Sequence, residues 1–422
     1  MKYTPATTVI KAKGLIDGIG NKVLDNAAVI IQGSQITAVE RQTANLPQGP
    51  HVRHLEYPNG YLLPGFVDAH THLMFGVYGG SYEQVTGSDS DEVCLLRAAM
   101  NAKLHIKAGV TTLRENGARN KITFDLREGA DRGYLVAPRL YLCGRPVTIT
   151  GGHFFWCNQE ADGVEGVREA VRELVKDGAD HIKIMASGGG TAITDNRRPS
   201  YTVEELRAIV DESHNMGKKT TAHCLATQSI TNSLDAGVDM IEHAGFRDPD
   251  GIYRYYPEIG ERIAKQGVFV CPTIQTGYRQ REVFLSIEAE RSLTKEEIVK
   301  LDGLKAKCES QMEFMGRLWD QGVSIISGTD AIQIFGDYSL GIELQGEAGM
   351  SNMDVIKAST STAAKCLGAE NLLGSLQPGL EADLVVLNSD PVNDLRAFRD
   401  VAMVMQGGRL ILDETMGYSI FA

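Results

Sequence analysis

The sequence predicts an α/β protein, a (β/α)8 TIM barrel carrying a small β-sandwich domain built from both chain ends. Three observations predict it. Eight short apolar runs alternate with helical stretches through the middle of the chain, the two ends share a different strand-and-turn texture, and polar residues recur where the apolar runs stop. A chain of 422 residues has room for a large barrel and one smaller module.

Residues 7–40, TTVIKAKGLIDGIGNKVLDNAAVIIQGSQITAVE, alternate β-branched and polar residues between Gly, Asp and Asn turns, as short antiparallel strands do. Residues 379–412, GLEADLVVLNSDPVNDLRAFRDVAMVMQGGRLIL, have the same character, so residues 1–60 and 375–422 are expected to form one β-sandwich domain. Residues 61–374 are assigned to the barrel. Its strands are expected in YLLPGFVDAH, GVTTLRE, PRLYLCG, DHIKIMAS, KKTTAHC, VDMIEHA, GVFVCPT and GVSIISGTD, with helices such as 204–216 and 295–321 among them. A doubly wound sheet would use the same units, but no G-x-G-x-x-G turn follows the first strand. No solenoid repeat or low-complexity tract occurs.

A formal charge of −12, spread along the chain, lacks the basic footprint of a nucleic-acid partner. No stretch reaches membrane-spanning length and the opening MKYTPATTVIKAKG has no apolar signal core, so no membrane role is expected. The seven cysteines form no C-x-x-C pair and suit buried thiols in a reducing compartment, which makes the cytoplasm the expected location.

FVDAHTHLMF, residues 66–75, reads as a buried strand, yet it holds two histidines and an aspartate. Side chains at i and i+2 of a strand point the same way, so His70 and His72 present two imidazoles on one face. His223 ends the fifth expected strand, His243 the sixth and Asp330 the eighth, while Lys183 lies within the fourth. All but Lys183 fall at or near carboxyl ends, where a barrel of this kind carries its active site. Any one of these histidines is equally readable as a hydrogen-bonded core residue. The set in barrel order points to a divalent metal such as zinc. Lys183 is then an oddity, because an ammonium facing a cation is repelled and costly to bury. It must be uncharged or modified. His181, His105, His214, His51, His54 and Cys224 are read as structural.

The runs PGFVDAHTH, HIKIMASGG, TAHC, IEHAGF and SGTDA, with PGLEADLVVLN near the end, resemble the metal-dependent amidohydrolase superfamily over nearly the whole chain. Within it the chain is most similar to the branch of imidazolonepropionase-related proteins and Xaa-Pro dipeptidase and arginine carboxypeptidase-like enzymes. ITGGH, HIKIMASGGG and YTVEELRAIVDESHNMGK carry that similarity. The resemblance implies that Lys183 is carboxylated and bridges two divalent ions, expected to be Zn2+. His70, His72 and Asp330 would hold the more buried ion, and His223 and His243 the more exposed one. It further implies hydrolysis by a metal-bridged hydroxide, with Asp330 as general base and His153 stabilising the carbonyl oxygen. Tyr201 is a second candidate substrate contact. Arg197, beside the Gly188–Gly190 loop, is a candidate for holding a substrate carboxylate.

Two features depart from that branch. HFFWCNQEADG is bulkier after its histidine, and Glu115 in GVTTLRENG stands where an Asp is expected. The expected activity is cleavage of an amide-type C–N bond in a dipeptide, N-acyl amino acid or related small amide. A cyclic amidine deaminase, or a urea- or carbamate-type xenobiotic hydrolase, is the alternative, and a non-catalytic scaffold the third class. Lys183 favours the amide hydrolases, and imidazolonepropionase lacks that bridging lysine. HFFWC and TIQTGYRQREVF suggest a roomy pocket with an apolar wall, and the resemblance suggests a homo-oligomer.

Overall fold

The computed structural model describes residues 7–76 and 87–421. In chain order its strands are β1 (Thr7–Leu15), β2 (Leu24–Gln32), β3 (Gln35–Arg41), β4 (Val52–Pro64), β5 (Phe66–Thr71), β6 (Val110–Glu115), β7 (Arg139–Leu142), β8 (Val147–Thr148) and β9 (Gln159–Glu160). They continue as β10 (His181–Ile184), β11 (Lys219–His223), β12 (Met240–Glu242), β13 (Phe269–Cys271), β14 (Leu384–Leu387), β15 (Val401–Gln406), β16 (Arg409–Asp413) and β17 (Tyr418–Ser419). The protein is mixed α/β.

Both chain ends enter one eight-stranded sheet of order β17-β16-β15-β14-β4-β1-β2-β3. Its two-residue periodicity is visible in the core: Ile10 and Ala12, Val29 and Ile31, Leu384 and Val386, and Met403 and Met405 are buried in one cluster. The join between the ends is the antiparallel pair β4–β14, with Leu62 opposite Val386. Gly65 separates β4 from β5 because a Cβ there would lie 2.1 Å from Thr111 Oγ1. The expected first run is thus divided between two sheets.

The remaining strands are parallel and form a three-stranded sheet, β5-β6-β7, and a six-stranded sheet, β13-β12-β11-β10-β8-β9. Asp180 N donates to Leu142 O (2.7 Å), linking the ends of β7 and β10. The eighth expected run, residues 322–330, is not a continuous strand. It meets β13 through the bridge Val270–Ile325 and β5 through Thr71–Ala331. Side chains replace part of the ladder there: Thr329 donates its N–H (3.0 Å) and its hydroxyl (2.6 Å) to the buried Asp68 carboxylate of β5. The ladder alone would not need those bonds.

Helices fill the intervals, and the two expected from periodicity are present at Val203–Asn215 and Lys295–Asp320. Each begins at a capping box, Thr202 with Glu205 and Thr294 with Glu297, which satisfies two N–H groups at the first turn. All seven cysteines are buried and unbridged. No helix among the described residues is long and apolar enough to cross a membrane.

Candidate metal centre and active site

Six of the sequence-predicted residues converge where the parallel strands end. His70 lies in β5 and His72 just beyond it, Lys183 is the penultimate residue of β10, and His223 closes β11. Lys183 therefore also sits near a carboxyl end, unlike the expectation from sequence. His243 follows β12 directly, and Asp330 N donates to His70 O (2.7 Å).

Hydrogen bonds to fixed acceptors assign the imidazole tautomers. His70 Nδ1 lies 2.6 Å from Glu242 Oε2, His72 Nδ1 lies 3.1 Å from Gly117 O, and His223 Nε2 lies 3.3 Å from Gly188 O. A carboxylate and two carbonyls only accept, so each of those ring nitrogens carries the proton. The opposite nitrogens are then bare lone pairs. His70 Nε2 and His72 Nε2 are 3.4 Å apart, lie 3.4 and 3.5 Å from Asp330 Oδ1, and have no proton to share between them. His223 Nδ1 is 2.9 Å from His243 Nε2, whose Nδ1 contacts Thr273 Oγ1 at 2.6 Å.

Burial holds the His72, His223 and His243 imidazoles well below the usual histidine range, with neighbouring histidines and the Lys183 charge adding to the effect. Converging neutral imidazoles beside a carboxylate are a donor set for divalent metal. Lys183 points the same way. Its side chain is 1% exposed, Nζ has no hydrogen-bond partner among the described residues, and Glu242 Oε1 lies 3.7 Å away. A buried amine left so is costly, whereas a carbamate in its place would present two anionic oxygens to cations.

Glu242 was not singled out from the sequence. Its Oε1 accepts from Arg114 (2.9 Å), Asn116 (3.0 Å) and Thr221 (2.6 Å), while Oε2 orients His70. Burial alone would raise this carboxyl, but His70, Lys183 and Arg114 hold it well below the usual range. Ligand atoms of His70, Glu242 and Cys271 also lie within 4.8 Å of one another. The bonds already made by Glu242, and a Cys271 thiol pushed well up by burial, disfavour a metal on that side of His70.

Four residues at the mouth hold left-handed backbone: Phe154 (φ 52°), His243 (φ 68°), Thr273 (φ 48°) and Asp330 (φ 48°). Such residues cost about 1–3 kcal/mol each and persist only where their surroundings enforce them. At His243 and Asp330 the enforcement is a 2.7 Å bond from each N–H, to Cys271 O and His70 O.

Above the site lies a cavity of about 1020 Å3. One wall is a helical hairpin, Ile274–Glu290 and Lys295–Asp320, which presents Thr276, Gln280 and Phe284 at four-residue spacing and Lys300, Leu304 and Lys307 at spacings of four and three. Phe154, Tyr253 and Ile332 add apolar surface. His153 also lines the cavity, stacked on Phe154 with ring centroids 4.1 Å apart, its Nδ1 2.9 Å from Thr191 Oγ1. Burial, with the Lys183 charge, pushes its imidazole down to about 3, so it is neutral.

Two expected substrate contacts are placed elsewhere. The Tyr201 hydroxyl donates to Ala161 O (2.9 Å) and the residue is 2% exposed, so this tyrosine is part of the core and not of the cavity wall. Arg197 lies outside the cavity lining and is paired with Asp195, Nε to Oδ1 at 2.8 Å. Of that loop, Asn196 reaches the cavity. His181, read as structural, places Nε2 2.9 Å from Asn116 Oδ1.

Gly189 is required by His153. A Cβ at that position would sit 2.3 Å from His153 Nε2. Gly189→Ala is therefore expected to displace the imidazole and lower kcat by about 10²-fold, the effect of losing one preorganised donor. Turnover and thermal melting measured together check this, since the melt should move little.

The family model for the amidohydrolase family matches residues 61–411. The chain belongs to the amidohydrolase family. It is 28% identical over 448 residues to ochratoxinase from Aspergillus niger, covering 97% of this chain and 88% of that protein. The crystal structure of A. niger ochratoxinase superposes with a TM-score of 0.81 at 27% identity, over 97% of this chain and 96% of that one. A Xaa-Pro dipeptidase solved with methionine in its active site gives a TM-score of 0.84 at 27% identity, covering 96% and 99% of the two chains. Imidazolonepropionase from Pyrobaculum arsenaticum is 22% identical over 410 residues, covering 90% of this chain and 92% of that protein. These similarities place the amidohydrolase in the branch expected from its sequence, among hydrolases of C–N bonds.

Proposed function

We propose that this amidohydrolase cleaves an amide bond of a dipeptide, N-acyl amino acid or related small molecule with two divalent metal ions, Zn2+ being the expected pair. The convergence of the unprotonated lone pairs of His70 and His72 on the Asp330 carboxylate, with a ligand atom of His243 within 4.8 Å of those of His70 and Asp330, carries the reading. His70, His72 and Asp330 would hold one ion, His223 and His243 the other, and a carboxylated Lys183 both. When bound, the ions supply a nucleophile from water at neutral pH and polarise the scissile carbonyl.

The chain's own groups perform the remaining work. Asp330 takes the proton of the attacking water and delivers it to the leaving nitrogen, a transfer typically worth 10²–10⁴-fold. His153 faces the carbonyl oxygen. Thr191 Oγ1 accepts from Phe154 N (2.9 Å), which frees its own hydrogen to donate to His153 Nδ1 and leaves an N–H at Nε2 for the developing charge. Tyr201 is not retained in this scheme and acts in packing. Arg197 is not retained either.

The proposal includes a (β/α)8 barrel over residues 61–374. Support comes from the hydrogen bonds that join β7 to β10 and from the bridges that run from β13 through residues 325–331 to β5. Residues 1–60 and 375–422 would be the β-sandwich unit, supported by their shared sheet. Unbridged buried cysteines support a reducing, cytoplasmic setting, and self-association is proposed with it.

Elemental analysis of the purified protein, beside a hydrolysis screen of dipeptides and N-acyl amino acids, tests the reading. About two ions per chain are expected, with activity lost on chelation and regained with added zinc. A metal-free protein that hydrolyses these amides equally well would sink it.

A further inference from the structure

The whole chain is acidic, at −12, yet among the described residues that line the cavity Asp330 is the one carboxylate, against Lys183, Arg247, Lys300 and Lys307. Two of these cations stand out by lacking a carboxylate partner among the described residues. Lys300 is paired with Glu296 at 2.9 Å, and Lys183 belongs to the metal centre. Arg247 instead spends its N–H groups on neutral oxygens, Nη1 on Asn196 Oδ1 (2.7 Å) and Nε on Gly251 O (3.3 Å), and lies 5.4 Å over the Tyr253 ring. Lys307 has neither an ion-pair nor a hydrogen-bond partner among the described residues.

The contrast with neighbouring arginines is direct. Arg254 is held by Asp248 and Asp250, Arg279 by Asp337 and Glu282, and Arg197 by Asp195. The loop after β12 and the hairpin thus each offer the cavity one uncompensated positive charge. Lys307 lines the same cavity as Asp330 and His243, so its charge faces the space above the metal centre. In a cavity with low-dielectric walls such a pair focuses potential on an anion.

We propose that Arg247 and Lys307 form a two-point anion clamp that fixes a substrate carboxylate beside the scissile amide. This rests on the amide hydrolase reading above and narrows it. The substrate is an N-acyl amino acid or dipeptide whose free carboxylate reaches across the cavity, with an apolar group against Phe154, Tyr253 and Ile332. Carboxamides, and leaving groups with a cationic side chain, are rejected by the same two charges.

The test separates the clamp from the chemistry. Calorimetry with 3-phenylpropionate and the neutral 3-phenylpropanol, neither of which contains an amide bond, measures anion preference on the protein as purified. Wild type is expected to bind the acid at least tenfold more tightly, Lys307→Met and Arg247→Gln to bring the preference close to parity, and Lys307→Glu to reverse it. No preference in wild type, or a preference that survives all three substitutions because the metal ions alone hold the acid, would overturn the clamp. Loss of both ligands' binding in equal measure would overturn it too, as a merely structural effect. Hydrolysis of N-acetyl-phenylalanine and its carboxamide is followed in parallel. A clamp that behaves as expected in a protein that cleaves neither amide would leave the clamp standing and sink the hydrolase reading, whereas equal cleavage of both by wild type would do the converse.

Discussion

Lys183→Ala is expected to lower the bound metal from about two ions per chain to one or none, and amide hydrolysis with it by well over the 10–100-fold that loss of a group supporting a metal ligand costs. The physical case is the isolation of the amine. Its side chain is 1% exposed, and Glu242 Oε1 stands 3.7 Å away without forming a hydrogen bond. Lys183→Arg is the informative control, because it keeps a positive charge and most of the volume but cannot form the carbamate. It should fail as the alanine does. Acetate or propionate added to the alanine variant should enter the vacated space, supply a carboxylate and restore part of both metal content and turnover. Unchanged metal content in both variants would remove the bridge and leave a site that holds its ions by His and Asp alone.

Glu242→Gln is expected to weaken metal binding by about 10–100-fold with little change in shape, the range for loss of a group that orients a ligand. The amide oxygen would take the place of Oε1, which receives Arg114, Asn116 and Thr221, leaving the NH2 group at the position of Oε2. Two donors would then face each other across the 2.6 Å now spanned by His70 Nδ1 and the carboxylate. His70 relieves the clash by moving its proton to Nε2, which blocks the lone pair that faces Asp330. Glu242→Ala is expected to act on stability as well. It leaves the buried Arg114 guanidinium with Ala69 O and Met240 Sδ as its remaining hydrogen-bond partners among the described residues, at a cost of about 3–5 kcal/mol for breaking a buried charge pair. Metal titration and thermal melting of the two variants distinguish these effects. If the glutamine variant binds metal as wild type does, Glu242 orients nothing.

Glu242 also shows where sequence reading reaches its limit. Strand alternation sends adjacent residues to opposite faces, so Glu242 and His243 should not serve one site. They do because His243 leaves β12 in left-handed backbone, which alternation does not encode. His70 and His72 were legible for the opposite reason, since they keep the regular i, i+2 spacing. The apolar runs of β6, β7 and β10 to β13 were legible through their length and boundaries, whereas β8 and β9, two residues each, are too short to leave a pattern. The eighth was not, because Asp68 and Thr329 substitute side-chain bonds for the ladder. Tyr201 shows the converse failure, in which a residue type suited to substrate contact spends its hydroxyl on Ala161 O. Lys307 carried no signal, as a lysine on a polar helix reads as solvated until the hairpin's placement is known.

The pairing of β4 with β14 bears on how the chain is made. β4 is complete at residue 64, but the strand that covers its open edge ends at residue 387, so the ribosome adds more than three-quarters of the polypeptide between the two. Throughout that interval the edge of β4 from Tyr61 to Pro64, whose backbone groups pair with β14 in the finished fold, lacks its final partner. Nascent chains stalled before β14 would present this edge to one another, a route to aggregation during translation. Chaperone attendance late in synthesis, more than any property of the finished enzyme, would then govern how much of it accumulates.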